Sequence, residues 1–147
     1  MGTMPKQGPI VILDSDVEDH ALLREALLQL GVSNKLYFFN NGIEALDYLR
    51  TTTEQPFIII SEVNLTKMDG LEFRRQVNGD EKLRNKAIPF VFLTDNPDRK
   101  KVEEAYEMMV QGYFIKKNSI PELKNTLHML LLYWTECLHR NSNFWHQ

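Results

Sequence analysis

The residues best suited to do chemistry follow short apolar runs. Asp14, Ser15 and Asp16 come directly after Ile10-Val11-Ile12-Leu13. Glu62 comes after the run that begins Phe57-Ile58-Ile59-Ile60, Thr94 after Phe90-Val91-Phe92-Leu93, and Lys116 after Tyr113-Phe114-Ile115. Grouped carboxylates repel one another and favour a divalent cation with oxygen ligands. A threonine hydroxyl and a lysine ammonium opposite them suit a phosphoryl group. Either chemistry requires four separate chain segments to meet at one place. The plainer alternative is that acids placed after strands merely cap helices.

The elements between these residues supply that meeting place. The apolar runs are short and rich in β-branched residues, as expected of strands buried on both faces. Leu36 to Phe39 reads as a further strand, followed by the turn Asn40-Asn41-Gly42. Helical spacing links Leu22, Leu23, Ala26, Leu27 and Leu30 before a stop at Gly31, and links Ile43, Leu46 and Leu49. A third helix is expected from about Leu71 to Val77, and a fourth opening at Asn96-Pro97. Ser119 with Glu122 fits a capping box before a long last helix. Five strands alternating with five helices predict an α/β, three-layer, doubly wound five-stranded parallel sheet. In such sheets a site forms at the carboxyl ends of the strands, where the candidate residues lie.

The chain has 147 residues and a net charge of −3, the size of one domain with no basic field to attract nucleic acid or anionic lipid. The single cysteine, Cys137, excludes a disulfide framework or a cysteine-rich zinc site. A cytoplasmic location is expected. Met129 to Trp134 is the longest apolar run and is too short to span a bilayer. His20, His128, His139 and His146 show no ligand spacing. Arg99-Lys100-Lys101 and the basic stretch from Lys82 to Lys86 read as solvated helix faces.

The stretches IVILDSDVEDHALLREAL, NNGIEALDYL, PFIIISEVNLTKMDGLEF, IPFVFLTDN and GYFIKK resemble the receiver domain of bacterial response regulators. Met68-Asp69-Gly70 and Gly112-Tyr113 are specific marks of that resemblance, and Tyr133-Trp134 looks like the single-domain branch associated with phytochromes. The resemblance implies a flavodoxin-like receiver over residues 9–138, with a flexible tail at 1–8 and another at 139–147. It implies two-component phosphorelay signalling, with a histidine kinase or another signalling protein as partner. No enzyme activity, nucleic acid or membrane is expected.

Receivers accept a phosphoryl group on an aspartate after the third strand, and the resemblance puts Glu62 there. The paired acids after the first strand fall on Asp14 and Ser15, so one magnesium ligand is a serine. Thr94, Tyr113 and Lys116 occupy the expected switch and phosphate-side positions. Glutamate is one methylene longer than aspartate, which displaces its oxygen from the geometry of in-line transfer. A site with fewer carboxylates binds a hard cation weakly. No cofactor is required on this reading, and magnesium held by Asp14, Glu62 and Asn64 is expected to be weak. Lys117 replaces the usual proline, so a trans peptide is expected, because cis costs about 2.5–4 kcal/mol without proline. Met109 replaces the glycine that usually ends the helix before the fifth strand, so that exit is expected to differ.

The expectation is therefore a pseudo-receiver in which Glu62 acts as a built-in negative group, pairs with Lys116 and holds Thr94 inward. Alternatives are a receiver phosphorylated through another acid, or neutral loss of the pocket. A further alternative is a haloacid-dehalogenase-like phosphatase with Asp14 as nucleophile and Asp16 as general acid. That family needs aspartates after the lysine, and none occurs after Asp98. A flavodoxin-type cofactor site is disfavoured because the loop after the first strand is acidic and lacks glycine. In the last helix, Leu123, Leu127, Leu130, Leu131, Trp134 and Leu138 form one stripe, with Met129, Leu132 and Tyr133 outside it. Apolar residues on so wide an arc predict a second buried surface. Leu132, Tyr133, Trp134, Phe144 and Trp145 are the candidate interface of a homodimer.

Overall fold

Strand β1 (Ile10–Leu13) is buried along its whole length, and its alternate side chains enter two different cores. Val11 and Leu13 face one helical layer, while Ile10 and Ile12 face the other. Burial on both faces is why such a strand reads as a continuous apolar run. The structure, a computed structural model, describes residues 8–138. After β1 the elements are α1 (Val17–Gln29), β2 (Leu36–Phe39), α2 (Gly42–Thr51), β3 (Ile58–Ser61) and α3 (Gly70–Gly79). Then follow α4 (Glu81–Lys86), β4 (Phe90–Thr94), α5 (Arg99–Glu107), β5 (Gly112–Ile115) and α6 (Ile120–Glu136). The strands form one parallel sheet in the order β2-β1-β3-β4-β5. Leu23, Ala26 and Leu27 of α1 and Leu123, Leu127, Leu130 and Leu131 of α6 pack on one face. Buried residues of α2, α3, α4 and α5 cover the other. This is the doubly wound, flavodoxin-like order, in which the strand order reverses beside β1.

Several expected boundaries shift for identifiable reasons. Among the described residues six helices are present where five are expected. The additional one, α4, has six residues with Leu83 alone buried, too little for a periodic pattern. Asp80 starts it by accepting from the Leu83 amide at 3.2 Å. Helix α5 starts at Arg99 and not at Asn96-Pro97, because the Asp98 carboxylate caps it through the Lys100 amide at 2.9 Å. Ile43 is exposed, and α2 buries Ala45, Leu46 and Leu49. The last helix ends at Glu136, which leaves Leu138 exposed and outside the buried stripe.

Two backbone features shape the site. A Cβ at Gly70 would collide with the Glu62 carbonyl oxygen and the Val63 Cα, so glycine lets α3 start directly against the loop that carries Glu62. Met109 follows the end of α5. It adopts φ 62°, the left-handed conformation that glycine would take without strain. The peptides among the described residues are trans, including that before Lys117.

Candidate functional site

Lys116 leaves the end of β5 and buries its ammonium among three carboxylates. Its Nζ lies 2.7 Å from Asp14 Oδ2, 2.6 Å from Asp19 Oδ2 and 3.0 Å from Glu62 Oε1. The Lys116, Asp14 and Glu62 side chains are 5%, 4% and 6% exposed, so these are interior pairs rather than surface ones. Glu62 Oε2 accepts from the Val63 amide at 2.6 Å and the Asn64 amide at 3.2 Å. Both oxygens of Glu62 are therefore fixed, one by the ammonium and one by the turn that follows β3.

Burial alone would lower the Lys116 pKa. Hydrogen bonds to Asp14 and Asp19, with the Glu62 charge, outweigh it and hold the ammonium protonated above the ordinary lysine value. Burial pushes the Asp14 carboxyl upward. Lys116 and the Asp16 amide oppose this, and the like charge of Asp19 adds to it. The lysine is raised because three carboxylates surround one ammonium, whereas Asp14 is raised first by its burial.

The remaining predicted residues divide. Thr94, at the end of β4, is fully buried, and its Oγ1 accepts from the Asn96 amide at 3.4 Å. Tyr113 is half-buried with its ring 5.6 Å from that of Phe92. Burial, then the charges of Glu62 and Asp98, raise its pKa. Ser15 lines the same pocket as Lys116 but bonds to the neighbouring loops. Its hydroxyl donates to Asn40 O at 2.9 Å and accepts from the Thr66 amide at 2.9 Å, tying three loops at the rim. Asp16 is used as the N-cap of α1, accepting from the Glu18 amide at 2.8 Å. The capping alternative is thus correct for Asp16, whereas Asp14 and Glu62 are interior groups. On α6, Leu132 and Tyr133 are exposed. Trp134 does not share their outward face; it packs on the core that contains α1 and meets Tyr133 edge-on at 4.9 Å. Phe144 and Trp145 lie outside the described residues.

Asp19 escaped the sequence reading. It stands in the first turn of α1, four residues before the buried Leu23 and in line with Ala26 and Leu27. An acid on the buried stripe of a helix was the available signal.

The oxygens named above for magnesium are already engaged. Asp14 Oδ1 accepts from the Asp16 amide at 3.0 Å, and Asn64 Oδ1 accepts from Lys101 Nζ at 3.0 Å. The ammonium occupies the point where the acids converge. Among the described residues no group of three or more Asp, Glu, His or Cys side chains is arranged to hold a metal ion.

A family model for the response regulator receiver domain matches residues 10–128. The probable methanogenesis regulatory protein FilR2 of Methanothrix harundinacea is 34% identical over 130 residues, 85% of this chain and 83% of FilR2. Response regulator Rcp1 of Synechocystis is 26% identical over 132 residues, 86% of this chain and 88% of Rcp1. The crystal structure of the phosphorylated cyanobacterial phytochrome response regulator RcpA has the same fold, with TM-score 0.79 at 24% identity over 88% of this chain and 95% of that one. With the strand order, the acids after β1 and β3 and the lysine after β5 already in place, these matches settle the family: the chain belongs to the response regulator receiver domains of two-component signalling.

Proposed function

We propose that this receiver signals by binding a partner protein without aspartyl phosphorylation, with Glu62 standing where the phosphoacceptor would be. The observation that carries the reading is the Glu62–Lys116 pair, with the second Glu62 oxygen held by two backbone amides. A carboxylate fixed at both oxygens is not free for in-line attack on phosphorus. It supplies a negative group to Lys116 continuously, with one charge where a phosphoryl group carries nearly two, so the mimicry is partial. The reading needs no metal. The partner is a histidine kinase or another signalling protein, met in the cytoplasm. Among the described residues no helix is long and apolar enough to cross a membrane.

The phosphatase alternative is disfavoured on the same ground. Asp14 is engaged at both oxygens, by Lys116 and by the Asp16 amide, and the Asp16 carboxylate is turned to its own helix. The test is treatment with a small phosphodonor and magnesium, read by intact mass. The unmodified mass is expected. A stoichiometric, acid-stable and base-labile phosphoryl adduct overturns the reading.

We further propose that the outward face of α6 joins two copies of the chain. Met129, Leu132 and Tyr133 are each at least half exposed on the side opposite the buried stripe. An aromatic residue within an exposed apolar patch is typical of interface anchors.

A further inference from the structure

Arg74 carries a buried charge with no ion-pair partner among the described residues. It lies on α3, is 7% exposed, and has its guanidinium carbon 5.1 Å from the Phe90 ring centroid. Nε donates to Met108 O at 3.0 Å and Nη2 to Met109 O at 3.1 Å. The ion pairs among the described residues belong to Lys35, Arg50, Arg75, Arg99 and Lys116. Carbonyl dipoles and an aromatic face offset part of the cost of burying a cation, but they supply no anion.

The same guanidinium lines a cavity of about 370 Å³, within the range of small-molecule sites. Its wall includes Arg74, Arg84, Ile88, Met109, Gln111 and Trp134. No aspartate or glutamate lines it, although acids outnumber bases in the chain, 20 to 17. The cavity lies by the loops entering β4 and β5, at the sheet edge opposite the acidic pocket. The two carbonyl bonds leave the Nη1 side of Arg74 uncommitted, and Arg84 is exposed.

We propose that this cavity binds a small organic carboxylate with an apolar or aromatic body. Arg74 and Arg84 take the carboxylate, the arrangement that suits guanidinium groups best. Ile88, Met109 and the Trp134 ring cover the body. Because Arg74 also holds the carbonyls at the end of α5, occupancy of the cavity is linked to the exit of that helix.

The chain has two tryptophans, so Trp145→Phe leaves Trp134 as the only reporter. That variant is titrated with phenylacetate, 4-phenylbutyrate and hexanoate, and with phenylacetamide and inorganic phosphate as controls. At least one carboxylate is expected to change Trp134 fluorescence saturably, with the neutral amide and the phosphate at least about tenfold weaker. Arg74→Met is expected to weaken binding about tenfold or more, with a modest fall in melting temperature from the two carbonyls it leaves unpaired. Should Arg74→Met fail to fold, Arg84→Ala, at an exposed position, is expected to weaken binding several-fold in a folded protein. The proposal is overturned if no carboxylate saturates, if the amide or phosphate binds as tightly, or if the folded arginine variants keep full affinity.

Discussion

The Lys116 ammonium lies 2.6 Å from Asp19, nearer than to Glu62 at 3.0 Å. Asp19 belongs to the first turn of α1, where the helix dipole also favours a negative charge. The serine at position 15 therefore does not leave the pocket one acid short. A carboxylate is supplied from the helix, while Ser15 secures the surrounding loops. The ion cluster consequently ties β1, α1, β3 and β5 together.

Lys116→Met leaves buried carboxylates without their cation. It is expected to cost about 3–5 kcal/mol of unfolding free energy, measured by urea denaturation. Asp19→Asn should cost less, about 1–2 kcal/mol, because its side chain is 25% exposed and Lys116 keeps two partners. Equal losses for the two variants would show that Asp14 and Glu62 contribute little.

Ser15→Ala removes the hydroxyl that bridges Asn40 and Thr66. A cost of about 1 kcal/mol is expected. Amide hydrogen exchange should rise at Thr66, whose N–H loses its acceptor, and remain unchanged in the β3 core. Unchanged protection at Thr66 would rule out the latch role.

Stability should fall at alkaline pH. The Lys116 pKa is raised through its acid partners, and that of Tyr48 is raised by burial and by Glu54. A group that binds its proton more tightly when folded contributes fully below its unfolded pKa, about 10 for both types, and loses that contribution as pH rises through the folded value. Denaturation followed from neutral pH upward should show a decline beginning near pH 10. Tyr48→Phe should make that decline shallower, and an identical slope in the variant counts against the assignment.

Met109→Gly should raise stability by about 0.5–1 kcal/mol. The residue is 69% exposed and holds a positive φ, so its side chain contributes strain with little packing. A rise in the urea midpoint at unchanged slope is the expected signature.

Leu132→Lys combined with Tyr133→Lys should convert a dimer into a monomer in light scattering without loss of thermal stability, because both side chains face outward. A monomeric mass for the unaltered protein at tens of micromolar removes the α6 interface from consideration.

The sheet was legible in local residue patterns. Its short apolar runs read as strands, three of them buried along their whole length, and the helical spacing between them implied crossovers on both sides. That was enough to predict Asp14, Glu62, Thr94 and Lys116 at one edge. Local periodicity carries this information because each element buries its own face. It carried less about α4 and the start of α5, where capping aspartates at 80 and 98 outweigh any apolar pattern.

The task of each polar group at that edge emerges only from the packed fold. Asp16 and Asp19 sit three residues apart in one acidic stretch, yet one caps a helix and the other pairs with a lysine 97 residues away. Ser15 reads as a lost acid and acts as a tie between loops. Arg74 carries no signal in the sequence, yet it is enclosed with no ion-pair partner among the described residues. Side-chain direction and burial separate these roles. Both depend on how α1 and α3 lie against the sheet, a long-range packing outcome that no local spacing records.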